Sequence, residues 1–304
     1  AGMVATALRS FEEWDATEQA KAVAAQPLFG IKRIGDAPPL VLPALSMQQR
    51  PLAGIRVLDL TRILAGPVSG RALAAFGADV MLVNSPNLPN IEAIADTSRG
   101  KRSAHVDLCT AEGQASLNVL LSEAHVFIQG YRPGGLQKLG FGPLDAIKKR
   151  PGIVYVSLSA YGPKGPWAAR RGFDSLLQTA MGFNQAEGQA AGDGRPRALP
   201  MQIVDQASGY LMATGAAAAL VRQQSEGGSW HVQVSLAQTA HWLRSLGRVP
   251  GGLLTGKPDL TPFLESSASG FGELLAVRPS AQLERTPAGY ERVSVLPGVC
   301  LAQW

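Results

Sequence analysis

The stretch "RRGFDSLLQTAMG" (170–182) holds one carboxylate, Asp174, the only acidic residue between Asp145 and Glu187. The same interval carries Lys148, Lys149, Arg150, Lys164, Arg170 and Arg171. An aspartate set after Gly172-Phe173 at the head of an apolar run has two readings. One is a helix cap, a position that Asp stabilises by about 1 kcal/mol. The other is a nucleophile. The two are compatible. A helix N terminus and nearby cations favour the ionised form, and an ionised, positioned carboxylate attacks an activated acyl group.

Other stretches bear on the same chemistry. "SRGKRS" (98–103) sets Arg99, Lys101 and Arg102 around a glycine. Such a turn either holds phosphates through side-chain charge and backbone N–H groups or is a solvated basic loop. "GYRPGG" (130–135) carries Arg132 directly after an expected strand, as a ligand loop or an ordinary turn. In "AYGPKGPW" (160–167), Gly162 and Gly165 let the backbone approach a ligand closely. The glycine spacing of a dinucleotide fingerprint is missing there. Asp205 in "IVDQASGYLMATG" reads as a cap of its own helix, with a site role as the alternative. His105, His125 and His231 fall in or near expected strands without metal-ligand spacing and read as structural, and no G-x-S-x-G elbow supports serine chemistry.

The elements that must position these residues alternate. Strands are expected at 54–61, 78–84, 104–108, 125–131 and 153–162. Helices are expected at 66–77, 110–124 and about "LDAIKKR", with further helices beginning near Asp174 and Asp205. Strands separated by helices predict an α/β fold, a Rossmann-like and mostly parallel sheet flanked by helices. Ligands of such sheets lie beyond the carboxyl ends of the strands, here "RILAGP", "NSPNLP", "GYRPGG" and "AYGPKGP". Ahead of this core, "SFEEWDATEQAKAVAAQ" predicts helix, with Ser10 and Glu13 spaced as a capping box. "PLFGIKRI" predicts a short strand, and the proline-rich 35–51 a linker. The expected division is a leading segment 1–50, a core 51–245 and an extension 246–304, in which "ELLAVRPSAQ" is strand-like.

Composition narrows the classes. The 304 residues are 46% hydrophobic and 17% charged, which predicts a folded globular chain. No apolar run reaches the roughly 18 residues of a membrane span; "YLMATGAAAALV" (210–221) reads as a buried helix. The net charge of +5 favours an anionic partner. No helix-turn-helix, aromatic RNA motif or zinc pattern points to nucleic acid. Two cysteines, Cys109 and Cys300, suit a reducing, cytoplasmic setting and no metal cluster.

Five stretches in this order resemble the class III CoA-transferase family, of the carnitine and formyl-CoA transferase type, which also contains α-methylacyl-CoA racemases. They are "PLAGIRVLDLTRILAGPVSGRALAAFGADVMLV" (51–83), "RGKRSAHVDLCTAEGQASL" (99–117), "VFIQGYRPGGLQKLGFGPLDAI" (126–147), "GIVYVSLSAYGPKGPWAARRGFDSLLQTAMG" (152–182) and "DQASGYLMATGAAAALVRQ" (205–223). The resemblance implies that Asp174 attacks an acyl-CoA thioester and carries the acyl group as a mixed anhydride. It implies that CoA is a substrate, with no tightly bound cofactor and no metal. It places Arg62 and Ala65 in a loop lining the CoA site, and Arg99, Lys101 and Arg102 at the phosphate-bearing end of CoA, with Arg132 and Gly162 as further CoA contacts. The partners implied are an acyl-CoA, a small carboxylic acid and a second copy of the chain in an interlocked homodimer. Departures from the family pattern are Asn84 where an acidic residue is usual, a short 84–99 segment, and no evident small-domain insertion after 245. Residues 1–50 look like the end of such a domain placed in front, as in the rear portion of a longer member. With no histidine shortly upstream of Asp174, racemisation is the second reading and a non-catalytic CoA-binding subunit the third.

Overall fold

The computed structural model describes residues 3–42, 44–192 and 194–304; residue 43 of the expected linker lies outside them. A seven-stranded sheet organises the chain. In chain order its strands are β1 (Gly30–Gly35), β2 (Arg56–Leu60), β3 (Asp79–Asn84), β4 (Lys101–His105), β5 (Val126–Gln129), β6 (Val154–Ser159) and β7 (Ser229–Ser235). Their spatial order is β1-β7-β6-β5-β2-β3-β4. The six strands from β7 to β4 are parallel, and β1 is antiparallel to β7. The sheet is mixed and mostly parallel, as the alternating pattern predicts.

Burial on both faces explains the near-continuous apolar strands. Val57, Val80, Val126 and Val154 pack one face against α3 (Ala65–Ala75) and α9 (Ile203–Glu226), where Ala72, Leu73, Met212 and Ala216 meet them. Leu58, Met81 and Phe127 pack the other face with Leu117 and Leu120 of α5 (Ala111–Glu123) and Ala146 of α6 (Pro143–Lys149). The α3–α9 contact is close because Gly209 has no side chain: a Cβ there would lie 2.5 Å from the Ala65 carbonyl oxygen.

The leading segment is tied into this body. Ser10 and Glu13 form the expected capping box on α1 (Phe11–Asp15). The expected single helix is two, because Thr17 breaks the run and caps α2 (Glu18–Ala24). The linker is pinned to α9 through Gln223, which bonds the Leu40 N–H and the Pro38 carbonyl. The remaining helices are α4 (Ile94–Thr97), α7 (Asp174–Ala180), α8 (Phe183–Ala191) and α10 (Leu236–Ser245). The extension adds a hairpin of β8 (Leu264–Ser269) and β9 (Gly272–Val277). It ends against β4 and α5, with the Cys300 N–H on Ser103 O and the Trp304 indole on Leu120 O. Among the described residues no helix is long and apolar enough to cross a membrane.

One expected strand assignment bears on the site. The strand placed at 104–108 runs instead from Lys101 to His105, so "GKR" enters the sheet rather than forming a turn beyond it. His125 and His231 are structural as read. The His125 Nδ1 accepts the Arg56 N–H at 2.9 Å, and His231 bonds Ser157 at 2.8 Å. Burial, with nearby Arg150 and Arg56 for the first and Lys32 for the second, lowers each to about 4.

Candidate active site

Strand order reverses between β2 and β5. The chain runs outward from β2 through β3 to β4 on one side, and from β5 through β6 to β7 on the other. The loops leaving the carboxyl ends of β2 and β5 therefore diverge, which opens a crevice at this point in parallel sheets. A cavity of about 240 Å³ lies there, lined by Arg62, Ile63, Leu64 and Ala65 after β2 and by Gly130, Tyr131 and Arg132 after β5. Gly172, Phe173 and Asp205 close it. A second hollow of about 190 Å³ shares Tyr131, Arg132, Gly172 and Phe173 with the first and adds Arg170 and Arg171. The two make one cleft with guanidinium groups on its walls.

The β2–α3 loop is strained. Ile63, a β-branched residue, has φ 72°, a conformation its side chain opposes. α3 then starts with no side-chain cap, which leaves first-turn N–H groups available beside Ala65. The Arg62 guanidinium bonds the Pro89 carbonyl, while its Nε is buried without a partner.

Asp174 is the first residue of α7 and only 1% exposed. It does not cap its own helix: Phe173 occupies the cap position, with no side-chain cap bond. Its carboxylate reaches instead to the start of the 24-residue α9. One oxygen accepts the Asp205 N–H at 2.8 Å. The other accepts Gln178 Nε2 at 2.5 Å. Asp174 thus caps α9, whose first-turn N–H groups and dipole favour the anion. Burial nevertheless outweighs these bonds and raises its pKa above the usual carboxylate value. The cations of the surrounding stretch do not lower it, contrary to the expectation from sequence.

Asp205 is not a cap either. Gln202 holds that position, and Asp205 is the third residue of α9. It is 8% exposed, and burial together with the neighbouring Asp174 pushes its carboxyl up to about 7.

Arg99, Lys101 and Arg102 do not converge. Arg99 turns toward the hairpin, bonding Asp96 at 2.5 Å, Glu265 at 3.0 Å and the Val277 carbonyl, and stacking on Tyr290. Lys101 points into the protein, fully buried, with Nζ 2.8 Å from both Asp59 Oδ2 and the Pro67 carbonyl. Arg102, on the opposite face of β4, pairs with Asp79 at 2.6 Å. The expected basic turn fails because strand alternation splits Lys101 from Arg102, and because acidic partners engage all three. Gly162, with φ +85°, lies against Gln26 and Ser235 and lines neither hollow. Arg62, Ala65 and Arg132 are brought together in the cleft. Tyr131, Arg171 and Gln178 were missed, and for Asp205 the alternative reading, a place at the site, is the one the structure favours over the cap. The spacing of Gln178 four residues after Asp174, on one helix face, was the available signal.

The profile of CoA-transferase family III matches residues 52–247. Rv3272 of Mycobacterium tuberculosis, named a probable fatty acyl-CoA transferase, is 35% identical over 210 residues, 64% of this chain and 53% of that protein. Its crystal structure superimposes with a TM-score of 0.60 at 34% identity, covering 66% of this chain and 58% of that one. A succinate–glutarate CoA-transferase of Agrobacterium fabrum is 32% identical over 265 residues, 77% of this chain and 65% of that protein. A CAIB/BAIF family protein from Brucella suis superimposes with a TM-score of 0.58 at 27% identity, covering 74% of this chain and 65% of that one. The chain spans about half the length of the curated relatives it matches. With a profile match across the sheet and its cleft, the chain belongs to CoA-transferase family III.

Proposed function

We propose that the cleft binds an acyl-CoA and that the chain transfers CoA from it to a carboxylic acid, with Asp174 as the nucleophile. The observation that carries this reading is a buried carboxylate held by the first turn of α9 beside a cleft walled by Arg62 and Arg132. Family membership and the activities named for the relatives support it. An Asp174 oxygen adds to the thioester carbonyl, the C–S bond breaks, and CoA leaves as thiolate with Asp174 as a mixed anhydride. The thiolate then attacks the Asp174 carbonyl, releasing the first acid and leaving an aspartyl thioester. The acceptor carboxylate repeats the sequence in reverse, and the new acyl-CoA departs with Asp174 regenerated. No proton is consumed and no bound cofactor is called for. Asp174 is buried and lines neither hollow, whereas Gly172 and Phe173 line both, so in this reading the Gly172–Phe173 segment shifts for the thioester to reach it. Two free thiols, Cys109 and Cys300, fit a reducing, cytoplasmic setting.

The test is exchange of CoA between a labelled carboxylic acid and an acyl-CoA by the purified chain alone. Label appearing in the thioester pool supports the reading; CoA binding without exchange makes the chain a binding subunit. In the same preparation Arg132→Ala is expected to weaken CoA binding by about tenfold to a hundredfold, the loss of one charge-assisted contact. Unchanged affinity by calorimetry would place the phosphates elsewhere.

The reading includes a homodimer. A largely apolar groove of about 740 Å³ runs between α9 and the β8–β9 hairpin, lined by Met201, Tyr210, Trp242 and Leu275. Met201, Tyr210 and Leu275 are exposed, and a second chain covering them would remove that apolar surface from water. Light scattering at micromolar concentration should give the mass of two chains; the mass of one chain would count against it.

A further inference from the structure

We propose that Asp205 and Asp174 hold a single proton between them, and that Asp205 is the positioning residue that keeps it, so that Asp174 remains the anionic member. The inference rests on the reading of Asp174 as nucleophile but is measurable apart from it. Both carboxyl groups belong to the first turn of α9, since the N–H of Asp205 is itself the donor to Asp174 Oδ2 at 2.8 Å. Both residues are more than nine-tenths buried. Two carboxyl groups linked through that backbone N–H in a poorly solvated place disfavour double ionisation at neutral pH.

The division of donors decides which one keeps the proton. Asp174 takes the Asp205 N–H and Gln178 Nε2. No described residue donates a hydrogen bond to the Asp205 carboxyl, which opens onto the cleft. Hydrogen bonds to the charged form favour ionisation, so the anion sits on Asp174. Of the groups facing Asp205, Arg62 and Arg132 pull toward its ionised form, and burial with the neighbouring Asp174 outweighs them. From the β2–α3 loop comes Arg62, bonded to the Pro89 carbonyl. The β5 loop brings Tyr131, whose pKa burial raises, and Arg132. The start of α10 brings apolar Leu236, and α7 brings Asp174 and neutral Gln178. On α9 itself the only other titratable residue before Arg222 is Tyr210. The shift of Asp205 to about 7 has burial and then Asp174 as its causes.

A neutral Asp205 keeps a second negative charge away from the thiolate and the acceptor carboxylate. Once it ionises, the cleft carries two adjacent anions and repels both. Transfer by wild type should therefore fall above about pH 7, approaching tenfold per pH unit. Asp205→Asn, which imitates the protonated carboxyl, should lose that alkaline limb.

The second readout needs no turnover. A carboxyl whose folded pKa lies above its unfolded value binds more proton when folded. Its contribution to stability is full at low pH and is lost as pH rises from about 4 to about 7. The difference in Tm between Asp205→Asn and wild type should accordingly grow in favour of the variant across that window and level off above it. A carboxyl infrared band that titrates near pH 7 in wild type and is missing in Asp205→Asn would support the proposal directly. A Tm difference flat from pH 4 to 8, with no such band, would overturn it. If the band and the Tm slope are found but no CoA exchange occurs at any pH, the shared proton stands and the transferase reading fails.

Discussion

Replacing Asp174 by Asn is expected to lower CoA transfer by at least about 10³-fold, because the amide supplies no anionic oxygen for attack on the thioester. CoA affinity should be nearly unchanged, since the cleft walls at Arg62, Ala65 and Arg132 are untouched. The substitution is not silent structurally. The two Asp174 oxygens accept from Asp205 N at 2.8 Å and Gln178 Nε2 at 2.5 Å. An amide offers one acceptor and turns its NH₂ toward the other donor. Gln178 cannot simply flip to help, because its Oε1 already accepts the Leu199 N–H at 2.9 Å. A stability loss of about 1–3 kcal/mol should accompany the loss of transfer, read as a lower urea midpoint with an unchanged slope. Trapping separates the mechanisms. With acyl-CoA and hydroxylamine, wild type should acquire a hydroxamate on the peptide containing Asp174, and Asp174→Asn should not. A racemase using Asp174 as a base would exchange the substrate α-proton with deuterated solvent and leave that peptide unmodified. Near wild-type transfer by Asp174→Asn would reduce Asp174 to the cap of α9.

Lys101→Ala should cost about 3–5 kcal/mol of stability and leave CoA affinity of the folded fraction unaltered. Asp59 and Lys101 are both wholly buried, and their contact at 2.8 Å crosses from β2 to β4 beneath α3. Burial pulls Lys101 below the usual lysine pKa, against the attraction of Asp59. Among the described residues, removing the ammonium leaves Asp59 with only the Thr61 N–H and hydroxyl as donors, at 3.0 and 2.5 Å. The chain has made room for this pair: a Cβ at Gly70 would lie 2.3 Å from Asp59 Oδ2 and 2.7 Å from Lys101 Nζ. Breaking one side should be far worse than replacing both, so Asp59→Leu with Lys101→Met should regain much of the loss. Chemical denaturation of the three variants measures the difference. A Lys101→Ala chain as stable as wild type but deficient in CoA binding would mean that the lysine turns out to the ligand.

The pattern of apolar runs and breakers was enough to specify the α/β class, the mostly parallel sheet, the capping box at Ser10 and Glu13, and the loops that border the cleft. Each depends on short-range periodicity or on a local hydrogen bond. Asp174 was also conspicuous as a lone carboxylate in a basic stretch. What it binds was not legible. The local rule makes Asp a cap for the helix it begins, but the backbone donor that holds it lies about thirty residues further on, at the start of α9. The same distance in sequence hid the pairing of Asp174 with Asp205. "GKR" misled for a related reason. Charge suggests solvent, and only the register of β4 against β3, with Val80 opposite Lys101, shows that the lysine shares a face with Asp59 and enters the interior. Which residues alternate is a property of the chain, whereas which partners meet across the sheet is set by strand order and register. That is why the sequence determined the kind of cleft and the loops around it, and only the tertiary structure decided which carboxylates and cations share it.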